Sequence, residues 1–133
     1  AKGAIPEPVR PLIGELLYGC DICQEVCPWN QKFALPLREE AFKPRAAIAG
    51  KDARTLATEL LAMSDEDFRI VFKGSPMKRA KLRGLKRNAA VALGNVGTVD
   101  DVELLERVRE SEPDEMVRAQ EGWAVGRLSS QRR

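Results

Sequence analysis

Six of the eight prolines in this 133-residue chain stand at positions 6, 8, 11, 28, 36 and 44, and that crowding limits what the first third can become. Each proline removes a backbone N–H donor and turns its predecessor away from helical torsions. Only short helical pieces fit there, around residues 9–17 and 21–27. Aromatic residues make up only 5% of the chain, which together with the prolines argues against an all-β fold.

From Asp52 onward the punctuation is that of helices. Asp52 is placed to cap a helix reaching about Met63, with Leu56, Leu60 and Leu61 on one face. Ser64 with Asp67 reads as a capping box for a short helix carrying Phe68, Val71 and Phe72, stopped by Gly74. Ser75-Pro76 is an N-cap followed by proline at the first helical position. A longer helix is expected from about Lys81 to Leu93, ended by Gly94 and Asn95. Thr98 with Asp101 is a second capping box, ahead of Leu104, Leu105 and Val108. Pro113-Asp114 opens the last helix, through Val117, Trp123 and Leu128, with Gly122 and Gly126 weakening it. The expected fold class is mainly α.

A weak repeat runs through this half. Residues 85–94 align with 117–126 at an offset of 32, with Ala92/Ala124 and Gly94/Gly126 identical. Small residues recurring on a packing face at that period suggest stacked, HEAT-like helical repeats. Two unrelated amphipathic helices sharing Ala and Gly would look the same.

The chain has no histidine, which excludes a Ser-His-Asp triad, a Cys-His dyad, histidine-ligated zinc or haem, and an imidazole general base. No run of about 18 apolar residues is available to cross a membrane. The start of the sequence shows no charged-then-apolar export pattern, so a cytoplasmic chain is expected.

All three cysteines lie between residues 20 and 27, in Cys20-Asp21-Ile22-Cys23-Gln24-Glu25-Val26-Cys27-Pro28. This is C-x2-C-x3-C-P, the last three positions of the bacterial ferredoxin run, whose first position falls here on Leu17. Two thiols separated by two residues can face one cluster, while a third, one helical turn on, faces elsewhere. A structural zinc site lacks its fourth ligand, and three buried apolar thiols are the bland alternative. A cluster also needs four ligands, so the chain reads as a fragment: residues 1–45 as the C-terminal part of a two-cluster, ferredoxin-like domain, and 46–133 as a HEAT-like domain.

From Phe68 to Val99 there are eight of the 22 Lys and Arg residues and none of the 20 Asp and Glu residues. Lys78, Arg79, Lys81, Arg83, Lys86 and Arg87 make up its dense part and are the expected nucleic-acid contacts. A solvated helix face would show the same charges, but Gly74-Ser75-Pro76 adds the free N–H groups of a helix start. No aromatic residue lies among these charges, so recognition of RNA backbone and shape fits better than stacking on splayed bases. Trp29 is expected to pack over the cysteine segment and Trp123 in the core. Tyr18 suits either a hydrogen bond to a cofactor or packing.

Val9-Arg10-Pro11-Leu12-Ile13-Gly14, the run from Tyr18-Gly19-Cys20 through Cys27-Pro28-Trp29-Asn30, Phe72-Lys73-Gly74-Ser75-Pro76, and the helix from Gly84 through Lys86-Arg87-Asn88 to Asn95 together resemble the epoxyqueuosine reductases. The resemblance implies a cytoplasmic, monomeric oxidoreductase of queuosine biosynthesis that uses cobalamin and two [4Fe–4S] clusters. Such an enzyme reduces the epoxide on the modified wobble base in the anticodon region of tRNA, fed by an electron donor. It also implies Cys20 and Cys23 as ligands of the second cluster, Cys27 of the first, Asp21 beside the cobalamin, and Arg79, Lys81, Arg83 and Arg87 on phosphates. The first cysteine motif, the further cluster cysteine, most of the cobalamin pocket and the acidic proton donor have no counterpart here. No catalytic residue is therefore expected in this chain, nor an intact cluster, nor activity on its own. An electron-transfer subunit docking on a separate cobalamin protein, and a HEAT-type interaction module with vestigial cysteines, are the alternatives.

Overall fold

A computed structural model describes residues 3–36 and 38–131, and every regular element among them is helical. None of these helices is long and apolar enough to cross a membrane. The chain divides into two compact units, residues 19–50 and residues 1–18 with 51–133. Residues 3–18 group with the C-terminal helices.

That larger unit begins with a 3-10 turn, Glu7–Val9, leading into α1 (Arg10–Ile13). The helix expected over 9–17 is thus one turn long, because Gly14 takes φ 59° and turns the chain out.

In the smaller unit, α2 (Ile22–Glu25) is followed by a separate helix, α3 (Pro28–Phe33). The single helix expected over 21–27 is shorter than its motif for a local reason. Pro28 suits the first position of a helix but forces Cys27 into an extended conformation, φ −69° and ψ 118°, which ends α2. A 3-10 turn, Glu40–Phe42, completes the regular structure there.

The helices from α4 (Ala53–Ala62) onward follow the expected caps. Asp52 accepts from the Thr55 N–H at 2.7 Å, and Ser64 accepts from the Asp67 N–H to open α5 (Asp65–Val71). Ser75 caps Pro76–Ala80, which is 3-10 rather than α. Then comes α6 (Lys81–Val96), which runs through Gly94 and Asn95 instead of stopping at Leu93. Gly94 is buried there, and a Cβ on it would lie 2.7 Å from the Trp123 ring and 3.1 Å from the Ala124 Cα. The glycine serves helix contact, not helix termination.

The Thr98–Asp101 box forms as expected, with the Thr98 N–H donating to Asp101 at 2.8 Å, and α7 (Val102–Ser111) follows. Asp101 also accepts two bonds from Arg54, at 2.8 and 3.0 Å, tying α4 to the start of α7. Asp114 accepts from the Met116 and Val117 N–H groups to cap α8 (Glu115–Ser130), which tolerates Gly122 and Gly126 in its interior.

The core lies around α6, which packs against α4 and α8, while α8 also packs on α7. Leu60 and Leu61 of α4, Leu85, Ala89 and Leu93 of α6, Leu105 of α7 and Leu128 of α8 are fully buried. Trp123 is half-buried against this core, with the Arg10 and Arg127 guanidinium groups 5.6 and 5.5 Å from its ring centre.

Three α6 side chains clip residues 3–18 onto the unit. Arg87 donates to the Gly3 carbonyl at 2.7 Å, Asn88 to the Leu17 carbonyl at 2.8 Å, and Asn95 to the Arg10 and Gly14 carbonyls at 2.8 and 3.0 Å. Leu17 belongs to the main core. Asn95→Ala removes two of these bonds and should cost about 1–2 kcal/mol, with faster proteolysis in residues 3–18. Unchanged protection there would show that the clips do not hold the segment.

Candidate functional site

The two candidate features lie in different units. In residues 19–50 no described residue is buried, and only Cys27, Ala47 and Ile48 are even half-buried. Cys20 and Cys23 are exposed, and none of the three cysteines is in a disulfide. The segment is held locally by amide side chains. Asn30 donates to the Gln24 carbonyl at 3.1 Å and to its side-chain oxygen at 2.6 Å, and Gln31 donates to the Glu25 carbonyl at 2.8 Å. These bonds brace α2 against α3 on either side of the Cys27-Pro28 junction. Asp21 is exposed, and its backbone carbonyl rather than its carboxylate accepts at the start of α2. Trp29 is 71% exposed and stacks on Phe33, with ring centres 5.2 Å apart.

Three thiols are soft donors suited to iron–sulfur or zinc chemistry, but they are one short of a ligand set. Among the described residues, no three Cys, Asp or Glu side chains converge on a common point. The three thiols of this chain would therefore supply only part of a four-ligand site.

In the larger unit the structure sorts the six expected nucleic-acid residues. Lys78, Arg79 and Lys81 are exposed, and among the described residues none of them has an acidic partner. Arg83 pairs with Asp114 at 2.8 Å, and Lys86 with the buried Glu112 at 3.2 Å. Arg87 is only 8% exposed, and its guanidinium bonds the Asn88 side chain as well as Gly3. Burial first, and then the like charge of Arg83, pull its pKa down from the usual arginine range. Acids distant in sequence thus neutralise part of a stretch that has none of its own.

What remains is a cleft of about 380 Å³ whose lining includes Tyr18, Arg79, Lys81, Arg83, Arg87 and Met116. Lys81, where the 3-10 turn meets α6, takes φ 58° and ψ 160°, torsions that ordinarily require glycine. Tyr18 reaches the cleft from the N-terminal segment, its hydroxyl donating to the Pro76 carbonyl at 3.3 Å. Sequence reasoning offered Tyr18 to a cofactor or to packing, and nothing local signals its place among these cations. Met116, Glu112 and Asp114 were likewise outside the basic stretch.

By themselves these residues define a class, a helical scaffold joined to an exposed thiol segment and bearing a basic cleft. Comparison with known proteins supplies the rest. No family model matches the chain. It is 45% identical over 127 residues to the epoxyqueuosine reductase of Pseudomonas aeruginosa, covering 95% of this chain and 34% of that protein. It is 47% identical over 95 residues to the enzyme of the same name from Escherichia coli, covering 71% of this chain and 24% of that one. Among solved structures, an epoxyqueuosine reductase bound to an epoxyqueuosine-modified tRNA(Tyr) stem loop superposes with a TM-score of 0.60 at 26% identity, covering 97% of this chain and 42% of that one. The chain is a relative of the epoxyqueuosine reductases along nearly all its length, and it spans about a third of the first of these relatives.

Proposed function

We propose that this chain is part of an epoxyqueuosine reductase and serves in it as a tRNA-holding scaffold joined to a thiol segment. The intact enzyme would reduce the epoxide of the modified wobble base to queuosine, drawing on cobalamin and two [4Fe–4S] clusters. Cys20, Cys23 and Cys27 would contribute part of the cluster ligands, and Asp21 would face the cobalamin. The offset of 32 residues between α6 and α8, which pack on each other, supports a HEAT-like arrangement. The observation that carries the reading is the cleft, where Arg79 and Lys81 have no acidic partner among the described residues, in a chain whose relatives include a protein solved with a tRNA stem loop.

On this reading Arg79 and Lys81 are the favoured contacts. Arg79→Ala and Lys81→Ala should each weaken binding of a tRNA anticodon stem loop severalfold and lower the salt slope by about one unit. Arg109→Ala and Arg127→Ala should leave both unchanged. Arg87→Ala should instead lower the melting temperature, since its side chain is spent inside the fold. Equal affinities and salt slopes for all of these variants would reduce the cations to a solvated face.

The thiol segment has its own test. Anaerobic reconstitution of this chain should leave it without a stoichiometric cluster, because its three thiols are one short of the usual four-cysteine set and, by the resemblance, divide between two clusters. About four irons and matching sulfide per chain would overturn that expectation.

A further inference from the structure

Between Lys73 and Val99 the basic stretch holds no aromatic residue, which on sequence alone argues against reading unstacked bases. The fold supplies one. Tyr18, a residue 45% exposed, lies on the wall of the cleft, tethered by the bond from its hydroxyl to the Pro76 carbonyl, 58 positions away in sequence. Met116 also lines the cleft, with its sulfur 4.0 Å from Arg83, and offers a soft apolar surface. The space, about 380 Å³, is within the range of small-ligand sites. Among the described residues Arg79 and Lys81 have no acidic partner, and Arg83 is paired with Asp114. Asn88 is committed at both ends, accepting from Arg87 and donating to Leu17. No amide side chain is therefore left there to read a base edge.

We propose that this cleft seats one unstacked nucleotide of single-stranded RNA, with its phosphate on Arg79 and Lys81 and its base against the Tyr18 ring. This deepens the tRNA-binding reading and rests on it. Stacking on a ring tolerates every base, and the cleft has no spare amide, so base preference should be slight. A duplex, whose bases cannot leave the stack cheaply, should not enter.

Tyr18 is the only tyrosine in the chain, so selective labelling of tyrosine reports on this ring alone. The experiment titrates the labelled chain with a short single-stranded RNA, with the same sequence as a duplex, and with AMP. It then compares RNA affinity for wild type, Tyr18→Phe, Tyr18→Ala, Arg79→Ala, Lys81→Gly and Lys73→Ala. The single strand should move the Tyr18 ring signals and give contacts between ring and base protons, and the duplex should not. Tyr18→Phe keeps the stacking face and should bind within about twofold of wild type, whereas Tyr18→Ala should lose at least about fivefold. Lys81→Gly removes a cation and relieves the torsions at φ 58°, so it should bind more weakly without melting lower. Lys73, outside the cleft, should not matter.

RNA binding that depends on Arg79 but leaves the Tyr18 signals still, with Tyr18→Ala equal to wild type, would overturn the seated nucleotide and leave the phosphate-binding reading intact. AMP binding as tightly as the single strand would assign the cleft to a free nucleotide and overturn the RNA claim. No binding of any RNA would remove both readings.

Discussion

Replacing Glu121 with Gln should stabilise this chain, and by far more at pH 8 than at pH 4.5. Glu121 sits on α8 with no exposed surface, and neither of its carboxylate oxygens has a hydrogen-bond partner among the described residues. Burial, and to a lesser degree the neighbouring Glu112, push its pKa from 4.5 up to about 7. Lys86, Arg109 and Arg118 oppose the shift but do not cancel it. Because the folded protein holds this proton more tightly than the unfolded chain does, the penalty is absent below about pH 4.5. It grows as pH rises and is complete above about 7. A shift of that size corresponds to roughly 3 kcal/mol. Denaturant unfolding of wild type and Glu121→Gln across pH 4.5 to 8 would show the gap opening over that window. Parallel curves would mean that the carboxylate is already satisfied in the folded state.

The second large effect concerns the two glycines that the repeat aligns. Gly94→Ala should destabilise by roughly 2 kcal/mol, because its new Cβ would meet Trp123 and the Ala124 backbone at 2.7 and 3.1 Å. Trp123 is itself packed on the core, and the α8 backbone moves only if the helices separate. Gly126→Ala should do the reverse. Nothing lies within 4 Å of a Cβ there, so removing glycine from an exposed helix position gains about 0.5–1 kcal/mol. Thermal melts of the two single variants would check it. A stabilised Gly94→Ala would mean that α6 and α8 do not rely on this close approach.

These two residues show why the repeat was only partly legible. Alignment sees identity at Gly94 and Gly126, yet one is pressed against a neighbouring helix and the other faces solvent. The same limit applies to the end of α6. A glycine after an apolar run is a sound stop signal, and only the approach of α8 turns Gly94 into a contact surface. The candidate site was legible to a similar degree. The six cations could be read off as a run, but their availability could not. Glu112 and Asp114 lie 26 and 31 residues beyond the cations they neutralise, Lys86 and Arg83, and Tyr18 stands 58 residues before its partner Pro76.

What the sequence determined alone was local. Asp52, Ser64, Ser75, Thr98 and Asp114 announce their helices because a side-chain oxygen satisfies N–H groups two or three residues away. The C-x2-C-x3-C-P run announces its thiol chemistry for the same reason of short range. The tertiary structure decided which charges stay free, which glycine is indispensable, and that residues 3–18 join the C-terminal helices. Those outcomes depend on groups far apart in sequence meeting inside or against a packed core. There an unpaired carboxylate such as Glu121 carries the cost of burial, and a single added methyl group has nowhere to go.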